Sequence, residues 1–149
     1  MKYLIANWKM NSVDLDSWEN NFINYVNSSK SFPKPHELKI VLCSNLYDFY
    51  VLSEKIKNSK NDIFKNITLY AQDVSQHEEG AFTGQVSSKF LKSVGLKGSI
   101  IGHSELRENG DDDEIVFEKG AKLKVGGISS SFGLGGGFDC VVSRGVSGW

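Results

Sequence analysis

GSIIGHSELR, residues 98–107, runs from a short apolar stretch straight into a histidine and then into Ser104, Glu105 and Arg107. An apolar run without polar alternation marks a strand buried on both faces, and such strands belong to parallel sheets covered by helices. The polar residues that follow then lie beyond the strand's carboxyl end, where parallel sheets collect their binding and catalytic groups. His103 is therefore either a polar catalyst or a histidine hydrogen-bonded to backbone at the sheet rim.

Three earlier segments share this character. Residues 3–8, LKIVLCS (38–44) and ITLYA (67–71) predict strands, and each is followed by apolar residues at helical spacing. These are Trp18, Phe22 and Val26 after the first, with Asp16 and Glu19 as an opening capping pair; Leu46, Phe49, Tyr50 and Ile56 after the second; and Phe90, Leu91 and Val94 after the third, beyond a long polar loop. A helix opening at DDDE (111–114) carries Val116, Gly120 and Leu123 after the fourth strand, with Gly120 costing it about 1 kcal/mol relative to alanine. Four βα units make this an α/β chain. Lys9, at the end of the first strand, reads as a charge positioned to meet an anion or as a solvated loop residue.

From Gly127 the composition changes. Residues 127–149 hold seven glycines and five serines, with only Asp139 and Arg144 charged. SSSFGLGGG (129–137) reads as a flexible connector and FDCVV (138–142) as one more short strand, which divides the chain into residues 1–126 and an atypical Gly/Ser-rich tail, 127–149. GLGGG (133–137) has neither the GK[ST] ending nor the spacing of a phosphate loop.

With 17 basic and 18 acidic residues, no overall field favours nucleic acid or an anionic membrane, so a small-molecule partner fits better. Lys55, Lys57, Lys60 and Lys65 lack interleaved aromatics and read as a solvated face. His36 and His77 read as surface residues. Cys43 and Cys140 show neither CxxC nor metal-ligand spacing, which points to no disulfide scaffold, no zinc site and a reducing compartment. The opening MKYLIANWKMN has an apolar stretch too short for a signal peptide or a membrane span, so the expected location is the cytoplasm.

Taken in order and spacing, ANWKMN (6–11), YAQDVS (70–75), EGAFTGQVS (79–87), IIGHSELR (100–107) and GDDDEIVFEKGAKLKVG (110–126) resemble the signature segments of the triosephosphate isomerases. The resemblance covers about the first 126 residues and implies a partial TIM (β/α)8 barrel. It further implies Lys9 and His103 as catalytic residues, Asn7 and Lys9 as substrate-binding residues, and Glu105 in a supporting place. Thr83 matches the threonine on a loop that the family inserts into a neighbouring subunit, which implies a homodimer. Leu106 stands where the family usually has a basic residue. The implied reaction interconverts dihydroxyacetone phosphate and glyceraldehyde 3-phosphate, in glycolysis and gluconeogenesis, with no metal or organic cofactor. It passes through an enediolate, so the site must stabilise negative charge on oxygen while a base carries the proton.

The family's base is a glutamate in a segment like AYEPVWAIGTG, followed by a hinged lid, and residues 127–149 contain no counterpart of either. A closed barrel takes about 250 residues. The expectation is thus a truncated or altered, poorly active chain. The alternative is a non-catalytic half-barrel that self-associates or binds small phosphates. A complete flavodoxin-like domain would need a fifth strand and a phosphate loop after the first strand, and ANWKMN is not such a loop.

Overall fold

The computed structural model describes residues 2–30, 32–33, 37–132 and 140–144, and side chains as far as residue 130. Five strands run parallel: β1 (Lys2–Asn7), β2 (Leu38–Cys43), β3 (Ile67–Ala71), β4 (Gly98–Ile101) and β5 (Ser129–Phe132). A sixth, β6 (Cys140–Arg144), pairs antiparallel with β1, giving the order β5-β4-β3-β2-β1-β6. Between them lie α1 (Leu15–Ser28), α2 (Leu46–Asn58), α3 (Ser88–Ser93), α4 (Ser104–Glu108) and α5 (Asp113–Gly126). This is half of a (β/α)8 pattern, with an extra strand on the β1 edge.

Alternate residues of the strands enter two different interiors. Ile40 and Leu42 of β2, Ile67, Leu69 and Ala71 of β3 and Ile101 of β4 join the main core under the helices, against Phe49, Leu52, Phe64, Leu91, Leu96, Val116 and Leu123. Val41, Cys43 and Ile100 are buried in a second cluster with Tyr3, Ile5 and Tyr70. Burial on both faces explains the unbroken apolar runs. β1 is the exception: only Asn7 is fully buried in it, so the expected buried first strand is half-exposed.

Two glycines are required where they stand. A Cβ on Gly98 would lie 2.4 Å from the Tyr70 ring and 2.6 Å from the Ser129 carbonyl oxygen, so β3, β4 and β5 approach there only without a side chain. Gly102 adopts φ +64°, the left-handed turn that carries the chain from β4 into His103.

Several sequence expectations need correction. Ser129–Phe132, assigned to a flexible connector, forms β5 through the register Gly98↔Ser129 to Ile101↔Phe132. Serine and glycine carry little strand propensity of their own, but the exposed edge of β4 offers backbone partners that override it. The short strand expected over 138–142 is seen from Cys140 and extends to Arg144, while His36, the GLGGG stretch and residues 138–139 lie outside the described residues. The cap of α1 is Asp14, whose Oδ1 accepts from the Asp16 and Ser17 amides; Asp16 and Glu19 instead receive the Lys55 ammonium at 2.6 and 2.8 Å. Lys55 is thus an α1–α2 tie and not part of a solvated face. Leu46, Tyr50, Phe90 and Val94, expected in helical core stripes, are exposed, and Leu52 fills the place the pattern gave to Tyr50. Periodicity identifies an apolar stripe without saying what covers it. No described helix is long and apolar enough to cross a membrane.

Candidate functional site

The site grows from the carboxyl end of β1. Asn7, buried at the last position of the strand, accepts the Lys9 amide on Oδ1 at 2.9 Å. Lys9 itself adopts φ +51°, a left-handed conformation that costs a non-glycine residue about 1–3 kcal/mol and persists only where its surroundings enforce it. Gln72, immediately beyond β3, donates from Nε2 to the Lys9 carbonyl at 2.8 Å and to the Cys43 carbonyl at 3.0 Å. Trp8 packs edge-on against Trp18, which stacks on Phe22, so an aromatic ladder fastens this end of β1 to α1.

β4 delivers the second half. Beyond Gly102, the buried His103 ring caps α4 by accepting the Glu105 amide on Nδ1 at 3.2 Å. A neutral ring that accepts at Nδ1 carries its proton on Nε2. Glu105 then turns back: Oε1 accepts from Lys9 Nζ at 2.9 Å, and Oε2 lies 3.6 Å from His103 Nδ1. Asn7, Lys9, Glu105 and His103 are therefore brought together, although 96 residues separate Lys9 from Glu105. The Lys9 side chain is 23% exposed and that of Glu105 54%, so the pair adds about 0–1 kcal/mol to stability and chiefly fixes direction. Arg107 secures the turn, donating from Nε to the Gly102 carbonyl at 3.3 Å and from Nη1 to Asp113 at 2.7 Å.

Thr83 is exposed on the loop between β3 and α3. That loop is ordered by its own contacts: the Ser75 amide to the Val86 carbonyl at 2.8 Å, Ser75 Oγ to Gln85 Oε1 at 2.5 Å, and the Gln85 amide to the Phe82 carbonyl at 3.0 Å. His77, expected as an unsupported surface residue, stacks on Phe82 with ring centroids 3.7 Å apart and ring planes 7° from parallel.

Sequence reasoning missed two residues here. Gln72 is one; its place just past the carboxyl end of β3 was the available signal. The other is Lys119, buried on α5 and bonded to Asp73 at 2.9 Å and Asp111 at 2.6 Å, which ties the long loop to the start of α5. Burial raises the Asp73 carboxyl above its ordinary range, against the opposing pull of the Lys119 ammonium. Burial also pushes the Cys43 thiol up to about 12, which leaves it protonated and unreactive at neutral pH. Among the described residues no group of three or more His, Cys, Asp or Glu side chains is arranged to hold a metal ion.

Comparison with known proteins gives one family. The sequence model described as triosephosphate isomerase matches residues 2–133. Triosephosphate isomerase from Mycoplasma mobile is 38% identical over 122 residues, covering 79% of this chain and 47% of the relative. That from Cytophaga hutchinsonii is 34% identical over 135 residues, covering 90% of this chain and 50% of the relative. The crystal structure of triosephosphate isomerase from Bartonella henselae superposes with a TM-score of 0.62 at 27% identity, over 87% of this chain and 50% of that one. The chain thus spans about half the length of the curated relatives it matches.

Proposed function

The chain belongs to the triosephosphate isomerase family, and from that premise we propose that its carboxyl-end cluster binds a triose phosphate and polarises its carbonyl, the first part of interconverting dihydroxyacetone phosphate and glyceraldehyde 3-phosphate. The observation that carries this reading is the meeting of Lys9 and His103 at Glu105, whose Oε1 accepts from Lys9 Nζ at 2.9 Å and whose amide donates to His103 Nδ1 at 3.2 Å. Lys9 supplies a fixed positive charge for the phosphate and the enediolate oxygen. His103, with its proton on Nε2, is the hydrogen-bond donor for that oxygen, and Asn7 fixes the Lys9 backbone. Glu105 supports both. Moving the proton between the two carbons needs a base, and general-base catalysis contributes about 10²- to 10⁴-fold. Glu105 is committed to Lys9 and residues 127–149 contain no glutamate, so these 149 residues bind and polarise with negligible turnover.

The proposed assembly is a homodimer of a cytoplasmic protein, with the Thr83 loop entering the neighbouring subunit. Supporting it, Thr83 is exposed on a loop stiffened from within, and Met10 and Tyr47 are 100% and 78% exposed. The exposed aromatic side chains also favour a second reading, a half-barrel that self-associates without catalysis. Isomerisation of glyceraldehyde 3-phosphate by purified protein, with Lys9→Ala as the control for contaminating enzyme, tests the first reading. The expected result is phosphate-dependent binding with turnover near background. Robust turnover that disappears in Lys9→Ala would mean that a base acts from a residue not assigned here.

A further inference from the structure

The Lys9 backbone is held from both sides by side-chain amides. Asn7 Oδ1 takes its N–H, and Gln72 Nε2 gives a hydrogen to its carbonyl. Fixing the two peptide planes that flank one Cα fixes φ and ψ at that residue, and with them the direction in which its side chain leaves. Gln72 does this from a distance in the sheet: it follows β3, which is separated from β1 by β2. Its Nε2 donates a second hydrogen to the Cys43 carbonyl at the end of β2, and that carbonyl also accepts the Trp8 amide at 3.0 Å. One primary amide, using both of its hydrogens, therefore ties together the ends of three parallel strands at the residue whose backbone is strained.

We infer that Gln72 is the positioning residue that holds Lys9 in its left-handed conformation and so directs the ammonium toward Glu105 and the bound anion. The inference rests on the proposed role of Lys9 as the charge that meets substrate. The chemistry at position 72 is specific. Methionine matches the length of glutamine but has no hydrogen to give, and a glutamate carboxylate would set negative charge against two carbonyl oxygens. Without the amide, the restraint on the carbonyl side of Lys9 is lost, its backbone is free to relax toward negative φ about the remaining Asn7 bond, and Nζ leaves its line to the site.

The test uses the 149-residue chain labelled with 15N, and glycerol 3-phosphate as a probe that cannot isomerise. At positive φ the amide and α protons of one residue lie close together, so Lys9 gives a strong intraresidue NOE in the unliganded protein. Gln72→Met is expected to lose that NOE and to bind the probe about tenfold more weakly, the scale of one lost hydrogen bond. The double variant Lys9→Met/Gln72→Met is expected to bind no more weakly than Lys9→Met alone, because Gln72 acts through Lys9. Gln72→Glu serves as the second variant with the same expectation. Retention of both the NOE and the affinity in either variant overturns the inference, and so does unfolding of both, which would make Gln72 a brace of the sheet. If the unaltered chain does not bind glycerol 3-phosphate, the role of Lys9 fails, and the NOE by itself decides whether Gln72 holds the backbone.

Discussion

Asp14 shows how much a single side chain does for the first helix. Its Oδ1 accepts the Asp16 and Ser17 amides at 3.1 and 3.2 Å, and its Oδ2 accepts the Ser17 hydroxyl at 2.7 Å. The side-chain bond from Ser17, with the backbone bonds behind it, holds the Asp14 carboxyl below its ordinary value of 3.8. A carboxyl depressed in the folded state adds stability above its unfolded value and loses it as pH falls through the folded one. Asp14→Ala is expected to lower the urea midpoint by about 0.5 M at neutral pH, and the difference from the unaltered protein should shrink below pH 3.8. Asp14→Asn, which keeps the cap without the charge, should show no such pH dependence. Gly98 presents the opposite case, since any Cβ meets the Tyr70 ring and the Ser129 carbonyl oxygen inside 3 Å. Gly98→Ala is expected to cost more than about 2 kcal/mol in urea unfolding, because one of those contacts is backbone and cannot swing away.

At the scale of elements, α5 is the helix most open to improvement. Gly120 sits in its interior, and a Cβ there would meet only the Ile101 Cδ1 methyl, at 3.4 Å. Alanine removes the conformational freedom that glycine brings to the unfolded chain and adds a contact to the core. Gly120→Ala should therefore stabilise by about 0.5–1 kcal/mol, read as a higher midpoint in thermal unfolding with an unchanged circular dichroism spectrum. The strands were legible from apolar runs alone, with β2, β3 and β4 found within a residue of their ends. Helix faces were less legible. Leu46 and Tyr50 repeat with the period of Phe49 and Ile56 yet remain exposed, because an apolar stripe prepared for another surface has the same spacing as one prepared for the core. β5 was missed because its pairing comes from the backbone of β4, with serines that carry no strand signal.

At the scale of the whole molecule, the sheet ends in two edge strands. Among the described residues β6 has a strand neighbour only in β1, and β5 only in β4. An uncovered edge offers unpaired N–H and C=O groups to another chain, and Tyr47, Tyr50, Phe90, Phe117 and Val125 add exposed apolar surface. The purified chain is expected to self-associate in a concentration-dependent way by light scattering and sedimentation velocity. A monodisperse monomer that unfolds cooperatively and does not associate at high concentration would contradict this.

The sequence by itself determined that β1 to β4 become strands, that these four run parallel, and that Asn7, Lys9 and His103 fall at carboxyl ends. Each of these follows from local pattern: an apolar run states its own burial, and chain direction states which residue comes last. Only the tertiary structure decided what those residues do to one another. The left-handed Lys9, the Gln72 amide reaching across β2, and Glu105 set between Lys9 and His103 all depend on strand ends brought together by the twist and order of the sheet. No spacing along the chain encodes those meetings, because they join residues through neighbours in space that are 63 and 96 positions apart in sequence.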